Sequence, residues 1–272
     1  MKKLKRYFRF AFTLGCLIAA IHIIHMLTLD RVIQYREITF YSANWPAALC
    51  GYRIGFMADT HRLTQRDLDG IVAELNARNL DLLLLGGDYS LRGRYMRESF
   101  AAFAQIETIH GIFGVEGNHD RRFPLGDIMA EFGIGFLDNN GVHIYDGFYL
   151  GGVRDEFLLP CVTSAVSSAN DDDFILLLMH NPDIAMEQST AGIDLILAGH
   201  THGGHVTFFG WAFYLHRRGH ITNYGTRFAY GWAQSRDGVS VYVTRGIGRY
   251  SVPRVFARPQ AVIFTMRRLE EV

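Results

Sequence analysis

With 272 residues, 49% of them apolar, the chain is long enough for one large or two small domains around a substantial core, and it contains no internal repeat or low-complexity tract. Its 27 basic and 27 acidic residues balance, but five of the basic ones lie in the first 29 positions, which hold no acid. The remaining 22 bases against 27 acids lack the overall basic character of a nucleic-acid grip, so no nucleic-acid partner is expected.

The chain opens on Lys2, Lys3, Lys5, Arg6 and Arg9 and continues through residues 10–29, a run of twenty without a formal charge. In a helix these residues cover about 30 Å, the hydrocarbon thickness of a bilayer, and they read as an uncleaved membrane anchor. A cleaved signal peptide has a shorter apolar region of about 7–15 residues and ends in a small-residue site. Leu27-Thr28-Leu29-Asp30 offers no such site. Basic residues ahead of a span stay in the cytoplasm, so residues 1–9 are expected there and the body on the extracytoplasmic face. His22 and His25, one helical turn apart, read as neutral imidazoles near the outer interface rather than as ligands of a haem or metal.

Residues 30–50 read as a linker and a first strand, and the catalytic domain is expected over 51–272. Residues 52–58 form a predicted strand that delivers Asp59 at its end. Thr64 and Asp67 have the spacing of a helix N-cap, followed by Leu68, Ile71, Val72 and Leu75 on one face. Residues 81–85 read as a strand covered on both sides, ending at Gly86-Gly87-Asp88. A helix over 95–109 and a strand over 111–115 lead to Gly117-Asn118-His119-Asp120. Asp59 and Asp88 are 29 residues apart and Asp88 and Asn118 are 30 apart, each the length of one strand–helix crossover. Three parallel strands would then present Asp59, Asp88 and Asn118 along the carboxyl edge of a sheet, where open α/β folds bind ligands.

After a short helix over 124–132, strands at 135–137, 142–145 and 148–153 read as the start of a second sheet. Residues 174–179 form a strand ending at His180, and 193–198 one ending at Gly199-His200-Thr201-His202-Gly203-Gly204. Strands at 239–243 and 261–265 complete the chain. The predicted class is α/β, a four-layer α/β/β/α sandwich of two mixed sheets. Cys16, Cys50 and Cys161 show no spacing signature and build no disulfide framework.

Asp, Asn and His at strand ends are hard and borderline ligands without cysteine, a donor set for a hydrolytic metal pair rather than for structural zinc or an iron–sulfur cluster. Such a pair needs a carboxylate able to bridge ions roughly 3.5–4 Å apart, so that a shared hydroxide can attack in line. The ordered set Asp59-x-His61, Gly87-Asp88, Gly117-Asn118-His119-Asp120, His180 and Gly199-His200-x-His202 resembles the calcineurin-like metallophosphoesterases, from about residue 51 onward. That resemblance implies a first metal on Asp59, His61 and His202, a bridging Asp88, and a second metal on Asn118, His180 and His200. It also implies catalytic roles for His119, as the donor to a phosphoryl oxygen or leaving group, and for its neighbour Asp120. The cofactors would be two divalent cations, manganese ahead of zinc, iron and magnesium, and the reaction hydrolysis of a phosphodiester or diphosphate bond.

The continuation into His205-Val206, with Thr244-Arg245-Gly246-Ile247-Gly248 and Ala257-Arg258-Pro259, is similar to a membrane-anchored or exported bacterial branch. That branch includes phosphodiesterases and diphosphatases acting on UDP-2,3-diacylglucosamine. It implies a phosphorylated small-molecule or lipid substrate; Arg245, on a glycine-flanked turn, and His205 are the candidate substrate contacts, and no obligate protein partner is expected. The alternative is a metal cage that binds a phospholipid without hydrolysing it. Two positions depart from the pattern: Tyr89-Ser90-Leu91 stands where some relatives carry an Asp that orients the catalytic His, and His205 replaces an amide. Arg217, Arg218, Arg245, Arg249, Arg254 and Arg258 are further phosphate candidates. Phe208, Phe209, Trp211, Phe213 and Tyr214 read as a pocket wall or as core.

Overall fold

The computed structural model describes residues 2–90, 94–155, 159–212, 221–249 and 253–269. In chain order the elements are α1 (Lys2–Leu27), β1 (Gln34–Ser42), β2 (Arg53–Met57), α2 (Gln65–Asn76), β3 (Leu82–Leu85), α3 (Met96–Phe103) and β4 (Ile112–Gly114). They continue with α4 (Leu125–Glu131), β5 (Gly135–Phe136), β6 (Asn140–Tyr145), β7 (Phe148–Gly152), α5 (Val162–Ala165), β8 (Phe174–Leu178) and α6 (Ile184–Glu187). The last are β9 (Leu195–Ala198), β10 (Gly231–Gln234), β11 (Ser240–Val243) and β12 (Gln260–Arg268).

Two six-stranded mixed sheets result, in the orders β1-β12-β2-β3-β4-β5 and β10-β11-β9-β8-β7-β6. The period-two alternation of each strand explains the layers. Ile54, Phe56, Leu82 and Leu84 of the first sheet meet Leu176, Leu178, Leu195 and Leu197 of the second in one buried layer. Met57, Leu83 and Leu85 face the other way, onto Leu68, Ile71 and Leu75 of α2 and Phe100 and Phe103 of α3. Ile175, Leu177 and Ile196 likewise pack on Val162, Ala165, Ile184 and Ala185 of α5 and α6. Strands covered on both faces must be apolar at every position, which is why Leu82 to Leu85 is an unbroken run of leucine. The four layers are those expected.

α2 begins with a complete capping box: the Asp67 amide donates to Thr64 Oγ1 at 3.2 Å and the Thr64 amide to Asp67 Oδ2 at 3.0 Å. α3, expected to reach residue 109, stops at Phe103. The chain turns early because Asn76 of α2 takes hold of it, donating to the Gln105 carbonyl at 3.1 Å and accepting from the Glu107 amide at 2.8 Å. β5, expected in the second sheet, pairs in parallel with β4 and closes the first; the second sheet starts with the β6–β7 hairpin. β1 is an edge strand of the first sheet, in register with β12 along its whole length. None of the residues of α1 is buried, and the helix is long and apolar enough to cross a membrane, a property that a signal sequence shares.

β2, β3 and β4 run parallel, as do β7, β8, β9 and β11. Their carboxyl ends therefore bring the polar loops of both sheets to one side of the sandwich.

Candidate metal centre

Asp59, Asp88 and Asn118 follow the ends of β2, β3 and β4, while His180 and His200 follow β8 and β9. Asp59, His61, Asp88 and His202 offer donor atoms that all lie within 4.8 Å of one another. His61 Nε2 is 3.1 Å from His202 Nε2 and 3.6 Å from Asp88 Oδ2, and His202 Nε2 is 3.4 Å from Asp59 Oδ1. The second half is as compact. His180 Nε2 lies 3.1 Å from Asn118 Oδ1 and 3.4 Å from Asp88 Oδ2, and His200 Nδ1 is 3.0 Å from Asn118 Oδ1. Asp88 Oδ2 thus faces both halves, the position of a bridge.

The outward ring nitrogens decide which nitrogen points inward. His61 Nδ1 faces the Ser90 carbonyl at 3.1 Å, His180 Nδ1 the Gly86 carbonyl at 2.8 Å, and His200 Nε2 the Ile221 carbonyl at 2.9 Å. A carbonyl accepts only a ring N–H, so each of these imidazoles, when neutral, turns a lone pair to the centre, the tautomer a cation requires. Asp59, His61, Asp88, His200, His202 and His205 also have positive φ, between 31° and 73°. Backbone held in the left-handed region by residues other than glycine is uncommon, and it clusters where the surrounding structure imposes a site.

Electrostatics agree with a place for cations. Burial pushes Asp59 up to about 7. Burial also lowers His61 and His200 to about 4, so both rings are neutral. Against its own burial, His180 is held at about 10 by the charge and hydrogen bond of Asp88, with help from Asp59. Asp88 is in turn held below the usual carboxylate range, because His180, His61 and His119 outweigh its burial. A proton on His180 thus stands in for part of the positive charge that the carboxylates demand.

His119 lies at the edge of the cluster, beside Asp88 and His61. Its side chain is about one-third exposed, with Nε2 4.0 Å from Asp88 Oδ2 and its ring edge-on to His61 at 5.1 Å. Asp120 differs. Fully buried, it accepts from the Asp88 amide at 2.7 Å, the Tyr89 amide at 2.9 Å and the Gly117 amide at 3.1 Å. It pins the loops after β3 and β4 together; it is a positioning residue rather than a catalytic one.

Arg254 requires a similar correction. It is 5% exposed, and its guanidinium donates to the carbonyls of Gly248 at 2.9 Å, Arg245 at 2.7 Å and Ala257 at 3.0 Å, with Nη2 3.4 Å from His202 Nδ1. It clamps the loops behind the His202 ligand and has no face left for a phosphate. His205, expected at the substrate, is buried with its ring stacked 4.3 Å from that of His202, and burial lowers its pKa to about 3. In this arrangement it supports a ligand. Arg245 lies against the ligand loop: a Cβ on Gly203 would stand 2.7 Å from its Cγ, and its guanidinium is 4.0 Å from the Tyr230 ring centroid. Phe208, Phe209 and Trp211 are exposed rather than core. Leu91, Phe213, Tyr214, Arg217 and Arg218 lie outside the described residues.

Hard and borderline donors on two sheets, sharing one carboxylate, define a metal-dependent hydrolase. The chain belongs to the calcineurin-like phosphoesterases, whose family pattern matches residues 52–204 and whose members use a dinuclear divalent metal centre. It is 27% identical over 226 residues to an uncharacterized metallophosphoesterase of Helicobacter pylori, an alignment covering 78% of this chain and 58% of the relative. It is 27% identical over 255 residues to the uncharacterized metallophosphoesterase YkuE of Bacillus subtilis, covering 87% and 86%. To the phosphodiesterase YaeI of Escherichia coli it is 34% identical over 170 residues, covering 56% and 61%. The chain thus spans less than two thirds of the length of the Helicobacter relative.

Proposed function

We propose that this chain hydrolyses a phosphodiester or diphosphate bond of a lipid-linked or nucleotide-linked substrate, of which UDP-2,3-diacylglucosamine is an example, at the extracytoplasmic face of a membrane held by α1. The observation that carries the hydrolytic reading is Asp88 Oδ2 standing between two ligand sets, within 3.6 Å of His61 and 3.4 Å of His180. Two divalent cations held there, manganese first among the candidates, would supply Lewis acidity toward phosphoryl oxygens and toward an attacking water near neutral pH.

The chain's own residues do the rest. Asp59, His61 and His202 would hold one cation and Asn118, His180 and His200 the other, with Asp88 shared between the two sets. His119, at the solvent side of Asp88, donates a proton to the leaving oxygen or a hydrogen bond to a phosphoryl oxygen. Arg245, whose stem lies against the Gly203 turn and whose guanidinium lies over the Tyr230 ring, would meet a phosphate there. No nucleic acid and no obligate protein partner enter this reading.

The test is turnover of bis(p-nitrophenyl) phosphate by purified protein with manganese, together with metal content. Asp88→Ala and Asn118→Ala are expected to lose bound metal and nearly all activity. Undiminished activity in both sinks the mechanism, and stoichiometric metal without turnover of any phosphodiester favours a cage that only binds. Product masses from a panel of lipid-linked and nucleotide-linked diphosphates then identify the bond and the substrate.

A further inference from the structure

The last turns of α1 are built into the body beside the metal centre. His22 lies among three aromatic rings, 5.4 Å from Phe208, 4.7 Å from Phe209 and 4.9 Å from Phe256, and His25 stacks on Phe256 at 3.9 Å. His25 Nδ1 contacts Asp30 Oδ2 at 2.7 Å, and the buried Asp30 carboxylate accepts from the amides of Phe256 at 2.9 Å and Ala257 at 3.1 Å. Phe209 and Phe256 both have positive φ, 49° and 53°. Bulky residues rarely adopt this conformation, and it persists only where neighbours impose it. Phe208 is six positions beyond the ligand His202, so the aromatic loop lies within about 20 Å of the metal centre.

Despite these contacts, Phe208, Phe209 and Trp211 are 48%, 51% and 57% exposed. Leu27 and Leu29, at and just beyond the end of α1, and Val32 are exposed as well. Contiguous apolar surface of this kind calls for a partner. Among the described residues nothing buries the apolar side chains of α1, and a bilayer would cover them. The aromatic loop continues that same surface at the helix end, where tryptophan and other aromatic rings partition into the headgroup layer. Arg31 is exposed there, and the Arg258 Nε donates to the Val32 carbonyl at 2.8 Å, which sets two cations at the level of anionic headgroups.

We propose that Phe208, Phe209 and Trp211 form a bilayer-contacting face that seats the metal centre at the level of the lipid headgroups. The proposal rests on the reading of α1 as a retained membrane span. It narrows the substrate to a phosphate carried on a lipid of the same bilayer, which reaches the centre by lateral diffusion rather than through water.

Spin labels on the full chain in nanodiscs of phosphatidylethanolamine and phosphatidylglycerol test it. Cys16, Cys50 and Cys161 are replaced by Ser, and single cysteines are introduced as Leu17→Cys, Phe208→Cys, Trp211→Cys and Ile109→Cys, each read by collision with oxygen and with a water-soluble nickel chelate. Labels at 17, 208 and 211 are expected to favour oxygen by several-fold relative to the label at 109, which lies at the amino edge of the first sheet and is 73% exposed. Because Phe208 also touches His22, Trp211→Cys carries the test should Phe208→Cys misfold. Nickel contact at 208 and 211, with 17 still shielded, overturns the bilayer face and leaves the anchor standing. Nickel contact at 17 overturns the anchor and the proposal together. Shielding of 208 and 211 from both reagents means a protein covers the patch, and this too rejects the bilayer.

Discussion

Asp120 and Asp88 are both buried carboxylates, yet their partners give them opposite tasks. Asp88 Oδ1 accepts from the His119 amide at 2.8 Å and keeps Oδ2 for the centre, whereas both Asp120 oxygens are spent on amides. Removing an acceptor from three buried N–H groups costs about 1–3 kcal/mol for each group left unsatisfied. Asp120→Ala is therefore expected to lower the melting temperature and weaken metal binding about 10–100-fold, with Asp120→Asn intermediate, as checked by thermal melts and metal titration. His119→Ala should instead keep most of its metal and lose about 10²–10⁴ in kcat if its ring is the proposed proton or hydrogen-bond donor of the reaction. The pKa values set a direction for metal uptake. Asp59, raised to about 7, and His180, raised to about 10, carry protons near neutrality that a cation must displace. Metal affinity should rise between pH 6 and 9 with release of protons, measurable by calorimetry in buffers of different ionisation enthalpy; an affinity flat with pH contradicts these assignments.

At the scale of elements, the site is a set of loops whose spacing the strands impose. β2, β3 and β4 place successive ligand loops side by side, and contact between neighbouring loops leaves no room for a side chain at Gly117. A Cβ there would collide with the carboxylate and amide of Asp88. Gly117→Ala should thus displace the bridge and lose metal, while circular dichroism stays native. α2 offers a contrasting prediction away from the chemistry. Thr64→Ala removes the capping box and should cost about 1 kcal/mol of stability while leaving kcat unchanged. The unequal effects of these two small substitutions separate what holds the fold from what holds the site.

For the whole molecule, the centre lies where two sheets from distant parts of the chain converge, so cations bound there tie the sheets together. Ligand binding to the native state alone adds about 2.7 kcal/mol at a metal concentration 100 times the Kd. Chelation should therefore lower the melting temperature of the wild type, and it should leave Asp88→Ala unmoved. The turn after α1 adds a second tie, through Asp30 and the amides of Phe256 and Ala257. That tie couples the end of the apolar helix to the loop whose Arg254 backs His202.

Local pattern alone was enough for the strands at 82–85 and 174–178 and for the capped start of α2, because burial on both faces demands unbroken apolar runs; the polar motifs that end those runs were visible too, while their ligand roles were implied by the resemblance. The assignment of β5 to the first sheet was not legible, since two residues carry no information about which edge they join. Nor was the early end of α3, which depends on a side chain of α2 about thirty residues away. The roles of Asp120, Arg254 and His205 were decided only by tertiary structure. A carboxylate, a guanidinium or an imidazole takes its function from the groups it meets, and those groups come from loops that adjoin only after both sheets have packed.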